Sequence, residues 1–194
     1  MDEFVFGVDL DGVCGDYTNG LRKILAEKLG VPVDSLAKDV SWDCHEWGIS
    51  PAEYQVLHTE AVVQRRLFAV MDVIPGCAEA LWKLSDAGVW IRILTHRLFL
   101  NHGHAVAVSD TCTWLDAHNI PYRDLCFLGN KPQVEANIYV DDAPHNITSL
   151  QKGGSDVIIF EQYYNKDLPG LRACNWGDVE SIVLSKLDKH KNSI

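Results

Sequence analysis

Five short apolar runs punctuate the chain: Phe4–Val8, Val89–Leu94, Leu125–Leu128, Asn137–Val140 and Val157–Phe160. Turn or polar residues bound each run, and β-branched residues are frequent in them. This pattern predicts strands buried on both faces of a parallel sheet. Helical periodicity fills most of the intervals. After Pro75-Gly76, apolar Cys77, Ala80, Leu81, Leu84 and Ala87 recur at three and four, and Gly88 follows where a left-handed C-cap belongs. Val108, Cys112 and Leu115 keep the period ahead of His118-Asn119, Ile147 and Leu150 precede Gly153-Gly154, and Val179, Ile182, Val183 and Leu187 mark a last amphipathic helix. The tail from Lys186 onward is polar and is expected to fray. Strands alternating with helices predict an α/β fold, a doubly wound, Rossmann-like parallel sheet of five strands.

One connection is too long for a single crossover. About 80 residues separate the first two runs, where about a dozen suffice, and this segment has helices of its own. Leu21, Ile24, Leu25 and Leu29 share a face that ends at Gly30. Ser50-Pro51-Ala52-Glu53 is a capping box with Pro at the first helical position, opening a helix through Val56, Leu57, Ala61 and Val62. The expected organisation is an α/β core of residues 1–13 and 75–194, with residues 14–74 inserted as a small helical cap.

Composition narrows the classes of function. With 47% hydrophobic and 23% charged residues, the chain reads as globular. A net charge of −10 argues against an extended grip on nucleic acid. No stretch approaches the roughly 18 apolar residues of a membrane span. The acidic start, Met1-Asp2-Glu3-Phe4, lacks the features of a signal peptide, so a cytoplasmic location is expected. The six cysteines (14, 44, 77, 112, 126 and 174) form no C-x-x-C pair, and none is followed six residues on by Arg. The Cys-x5-Arg loop of cysteine phosphatases is therefore absent, and Cys14 is expected to be a small packing residue.

The chemistry lies where strands end. The first run leads into Asp9-Leu10-Asp11-Gly12-Val13, the second into Thr95-His96-Arg97 and the fourth into Asp141-Asp142, while Lys131 follows the third. In an open parallel sheet these carboxyl ends share one edge, where ligands bind. Four carboxylates gathered there need either raised pKa values or a divalent cation. Oxygen donors without Cys or His favour Mg²⁺. A cation, a Lys and a Thr around an Asp describe a phosphoryl-transfer site.

In this order, Asp9-Leu10-Asp11-Gly12-Val13, Thr95, Lys131 and Asp141-Asp142 resemble the four motifs of the haloacid dehalogenase-like (HAD) phosphohydrolases, and the insert resembles their C1-type cap. The chain is most similar to the 5'(3')-deoxyribonucleotidase branch. The features shared with that branch are D-x-D-G-V, the aromatic Tyr17, the paired Asp, and the late Phe160, Tyr164, Asn165, Arg172 and Trp176. The resemblance implies that Asp9 is the nucleophile and a Mg²⁺ ligand. It implies that Asp11 is the acid and base, with its backbone carbonyl on the metal. Thr95 and Lys131 would hold phosphate oxygens, and Asp141 would be a further metal ligand with Asp142 beside it. Tyr17 either stacks on a base or packs at the start of the first cap helix. Trp42, Trp47, Tyr54 and Phe68 are expected chiefly as cap core, with some aromatic face over a base. His102 and His104 are expected to be surface residues.

The chain departs from the branch at His96-Arg97, where a small polar residue and Pro are usual. This leaves Arg97 either to contact phosphate or sugar or to face solvent. The expected activity is phosphomonoester hydrolysis of a (deoxy)ribonucleoside monophosphate, with a sugar phosphate or other small ester as the alternative. The partner is a small-molecule phosphate ester, with no nucleic acid and no membrane, and a homodimer is left open. A different class, a non-catalytic relative that binds a phosphate ligand or a protein partner, keeps the same core residues; another, a phospho-accepting regulatory domain, has its acidic pair on the first strand but a phosphorylated Asp on the third. Here the third strand leads into Gly129-Asn130.

Overall fold

The computed structural model describes residues 3–98 and 103–192. Six parallel strands form one sheet in the order β3-β2-β1-β4-β5-β6. They are β1 (Val5–Val8), β2 (Trp90–Thr95), β3 (Asp124–Phe127), β4 (Ile138–Asp141), β5 (Val157–Phe160) and β6 (Leu171–Ala173). The sheet thus has six strands rather than the expected five. β6 is three residues long, with Leu171 exposed and only Ala173 buried, so it carries no apolar run that a pattern reading detects. Thr95 and Asp141 are strand residues rather than the first residues beyond one.

β1 lies at the middle, with Val8 level with Ile93 of β2 on one side and Val140 of β4 on the other. Strand order reverses between β1 and β4, so the crevice at the carboxyl ends opens there. Phe6 and Val8 of β1 and Ile91 and Ile93 of β2 pack with helices α4 (Cys77–Asp86) and α7 (Trp176–Lys191). On the other side, Leu94, Tyr139 and Ile159 pack with Ile147 and Leu150 of α6 (Pro144–Lys152). A Cβ at Gly7 would lie 2.7 Å from the Tyr139 ring, so the missing side chain leaves room for that aromatic on the sheet face.

The insert contains α1 (Tyr17–Leu29), α2 (Pro51–Thr59), a wider π turn over Glu60–Gln64, and α3 (Leu67–Val70). Asp16 caps α1 and Gly30 ends it in the left-handed region, while Ser50 and Glu53 form the expected box on α2. The outgoing and returning stretches are tied to each other: Asp16 N–H donates to the Asp72 carbonyl at 2.8 Å, and Ile74 N–H to the Cys14 carbonyl at 2.7 Å.

Three local expectations fail, for identifiable reasons. Leu29 is 52% exposed, while Arg22 is buried on α1 with its guanidinium donating to the Leu36 carbonyl. On α5 (His104–Ala117) the buried face is Ala107, Asp110, Thr111, Trp114 and Leu115, which is turned from the Val108–Cys112 face. Asp110 and Thr111 are masked to an apolar pattern because their partners, Arg66 and Arg97, come from distant segments. The C-terminal tail stays helical to Lys191, tied by Lys186 to Asp156. His104 is exposed, and His102 lies outside the described residues.

Arg66, which opens α3 at φ 56°, holds the buried Asp110 with two hydrogen bonds, the longer at 2.7 Å. Arg66→Ala is expected to lower unfolding free energy by about 1–3 kcal/mol, because the partner carboxylate is left buried without donors. Urea denaturation of the variant measures it, and an unchanged midpoint refutes it.

Candidate active site

The strands carry the chemistry to one point. Asp9 follows β1 directly, its N–H donating to the Val140 carbonyl at 3.1 Å, so its position is set by the ladder itself. The chain then turns tightly, with the N–H groups of Cys14 and Gly15 both donating to the Leu10 carbonyl. Gly12 sits in this turn at φ +82°, and a Cβ there would fall 1.9 Å from an Asp142 oxygen. The turn therefore demands glycine on both counts. It is braced from the late part of the chain: Gln162 donates to the Gly12 carbonyl, and the Trp176 indole to that of Val13.

Asp9, Asp141 and Asp142 are all buried, and each offers a carboxylate oxygen within 4.8 Å of the others. Lys131, 2% exposed, lies between two of them, donating to Asp9 Oδ1 at 2.5 Å and to Asp141 Oδ2 at 2.6 Å. Asp141 also accepts from the Ala143 N–H at 3.0 Å and from the Asn146 amide. Asp142 accepts from the Tyr164 hydroxyl, and its own carbonyl from Asn165.

One ammonium does not balance three carboxylates. Burial pushes the Asp9 pKa from 3.8 up to about 7, with Asp141 and Asp11 adding to the rise and Lys131 opposing it. Burial, then Asp9 and Asp141, holds Asp142 well above its ordinary value. Burial works against the Lys131 ammonium, yet the Asp141 and Asp9 carboxylates keep its pKa raised. This donor set fits a divalent cation: hard oxygen ligands, close together, whose mutual repulsion such an ion would relieve.

Asp11 goes elsewhere. Its two oxygens accept from Arg97, Oδ1 from Nη2 at 2.8 Å and Oδ2 from Nε at 3.1 Å. Arg97 is 4% exposed, so it neither faces solvent nor is free for a phosphate or sugar contact in this arrangement. Its place on Asp11 was not legible from the sequence, because the two are 86 positions apart. Among the described residues, Thr95 Oγ1, at the end of β2, and His96 Nε2 are buried polar atoms without a hydrogen-bond partner.

Asp9, Asp11, Lys131 and Asp142 line a cavity of about 720 Å³. The insert supplies an aromatic wall of Tyr17, Trp42, Trp47, Tyr54 and Phe68. Tyr17 both lines the cavity and packs, with its hydroxyl 2.5 Å from His58 Nδ1. Trp47 and Phe68 are buried, as core residues are, whereas Trp42 is 51% exposed and meets the rings of His145 and Tyr164 edge-on. His58 and His145 were missed by the sequence reading. A lone His on a helix carries no local signal, and only the cavity singles these out.

The chain matches, over residues 3–188, the model of the family described as 5' nucleotidase, deoxy (pyrimidine), cytosolic type C protein. It belongs to that family. A curated Chlorobaculum tepidum protein named "Putative 5'(3')-deoxyribonucleotidase" is 47% identical over 183 residues, covering 94% of this chain and 91% of the relative. A haloacid dehalogenase-like hydrolase from Streptococcus pneumoniae aligns with a TM-score of 0.61 at 14% identity, covering 93% of this chain and 98% of the other. A HAD-superfamily hydrolase of subfamily IA from Geobacter sulfurreducens aligns at 0.58 and 15%, covering 93% and 100%. These two support the fold. Family membership makes the protein a HAD-type phosphatase, a phosphoric monoester hydrolase of the 5'-nucleotidase kind.

The Asp9 shift has a measurable consequence. The unfolded chain releases this proton near 3.8, and the cation-free folded state retains it up to about 7. The folded state binds more protons in that window, so its stability is expected to fall as pH rises through it. Thermal denaturation in chelator should show this trend. Added Mg²⁺ should then raise the midpoint more at about pH 8 than at about pH 5, where protons compete for the same oxygens. Equal gains at both pH values contradict the charge balance described.

Proposed function

We propose that the protein is a Mg²⁺-dependent phosphatase that removes the phosphate of (deoxy)ribonucleoside monophosphates through an aspartyl-phosphate formed on Asp9. The observation that carries this reading is the buried Asp9–Asp141–Asp142 cluster joined by Lys131, of which Asp9, Asp142 and Lys131 line an aromatic-walled cavity. The name of the 47% identical relative supports a deoxyribonucleotide as substrate. The cytosolic character of the family supports a cytosolic location. No helix among the described residues is long and apolar enough to cross a membrane.

Asp9, Asp141 and the backbone carbonyl of Asp11 would hold Mg²⁺, with Asp142 beside them. Bound there, the ion offsets negative charge on the carboxylates and on the phosphate. Thr95 donates its hydroxyl to a phosphate oxygen, and Lys131 brings its ammonium to the same group. An Asp9 oxygen attacks phosphorus, and the bond from phosphorus to the ester oxygen breaks. Asp11 passes a proton to that leaving oxygen. Asp11 then takes a proton from water as the water oxygen attacks phosphorus. The bond to Asp9 breaks, inorganic phosphate leaves, and the Asp9 carboxylate is restored.

Residues 14–74 act as the cap over this site. Their aromatic wall favours a planar base over a bare sugar, since stacking on such rings is worth about 1–3 kcal/mol. A regulatory phospho-acceptor domain has no use for a cavity of this kind.

Phosphate release from a panel of nucleoside monophosphates and sugar phosphates, with Mg²⁺ and then with chelator, tests the proposal. Nucleotides should be preferred and chelation should abolish turnover; activity confined to sugar phosphates removes the nucleotidase reading. Asp9→Asn should lower kcat on the order of 10⁴-fold or more, and a variant with full turnover would displace Asp9 as nucleophile.

A further inference from the structure

We propose that Arg97 is a positioning residue for Asp11, setting the edge of that carboxylate that faces the bound ester; the inference rests on the acid–base role given to Asp11 above. Among the described residues, the hydrogen bonds to the Asp11 carboxylate come from Arg97, one to each oxygen. A planar fork meeting a carboxylate in this way takes one lone pair from each oxygen and fixes the plane of the group. The opposite lone pairs are left for the cavity, which Asp11 lines. Without the fork, a side chain two bonds from the backbone would sample other rotamers, including those that turn toward the cation-binding cluster.

The guanidinium is itself held on three sides. Nη1 donates to Thr111 Oγ1 at 3.0 Å, and Thr111 in turn donates to the Ala107 carbonyl at 2.7 Å, which orients its hydroxyl. Nη2 lies 3.9 Å from Met71 Sδ. The Arg97 guanidinium carbon stands 4.2 Å from the centroid of the Phe68 ring, a cation–π contact supplied by the insert. The residue is thus clamped between α5, the insert and the Asp9–Gly12 turn. Lysine cannot reproduce this, because an ammonium is a point charge without a fork. The other buried cation of the site, Lys131, donates to Asp9 and Asp141 rather than to Asp11.

A residue that acts through the proton donor matters only when the leaving group needs a proton. Single-turnover release of the leaving group is therefore compared for a nucleoside monophosphate and for p-nitrophenyl phosphate, whose phenolate leaves unprotonated. Arg97→Met is expected to slow nucleoside release about 10–100-fold, and p-nitrophenol release by no more than about threefold. Arg97→Lys should fall between Arg97→Met and the parent. In an Asp11→Asn background, Arg97→Met should add nothing further, because its effect is already lost.

Equal slowing of both esters, or full additivity with Asp11→Asn, overturns the proposal and makes Arg97 a packing residue. Should Arg97→Met fail to fold, Arg97→Lys and Thr111→Val carry the same ester comparison, with the same two outcomes. The two levels separate cleanly. Asp11→Asn releasing nucleoside at the parental rate removes the acid–base role itself. Asp11→Asn slow with Arg97→Met unaffected removes only the present inference.

Discussion

Three carboxylates are buried within 4.8 Å of one another where β1 and β4 end, and a single ammonium lies between two of them. Such a cluster is unfavourable by itself: each charge has lost its water, and like charges repel across a few ångströms. The fold must therefore supply the opposing terms. It does so with Lys131, with the Ala143 N–H and Asn146 amide on Asp141, and with the Tyr164 hydroxyl on Asp142. In the proposed function, the remaining imbalance is what a bound cation would relieve. Strand order explains why the cluster can exist at all. β1 and β4 are neighbours at the point where the sheet reverses, so the crevice separates their helices while their ends stay adjacent.

Asp9 and Asp11 are two residues apart and stand in different electrostatic company. Asp9 faces Lys131 and the other carboxylates, whereas Asp11 is taken up by Arg97 from the end of β2. The division comes at the turn whose Leu10 carbonyl accepts from Cys14 and Gly15, which takes Asp11 off the line of β1, and at Gly12, which lets the turn close against Asp142. In the proposed reaction the two identical side chains take different parts, as environment rather than residue type decides how each behaves.

The segment between β1 and β2 reaches several groups of the core. Phe68 stacks on Arg97, Met71 accepts the Trp114 indole through its carbonyl, and Trp42 reaches the rings of His145 and Tyr164 across the cavity. The late segment around Asn165 contributes in the same manner from the other side. Asn165 donates to the carbonyls of Asp142 and Phe160, and Arg172 donates to the Asn165 carbonyl. Residues far from the chemistry in sequence thus hold the two loops that carry it.

The hydrophobic pattern along the chain was enough to locate five of the strands, most of the helices, and the residues Asp9, Thr95, Lys131 and Asp141 at or just past the carboxyl ends of strands. Each of these is a local property: an apolar run buried on both faces, a three-and-four repeat, or a polar residue where a run stops. β6 escaped because three residues, one of them buried, make no run, and the buried face of α5 escaped because its polar members look exposed when their partners are unknown. The pairing of Arg97 with Asp11, the Tyr164 hydroxyl on Asp142, and His58 beside Tyr17 were decided only in three dimensions. Burial of an apolar side chain depends on its neighbours in the chain, whereas the partner of a buried charge is whichever group the packed elements bring within hydrogen-bond reach.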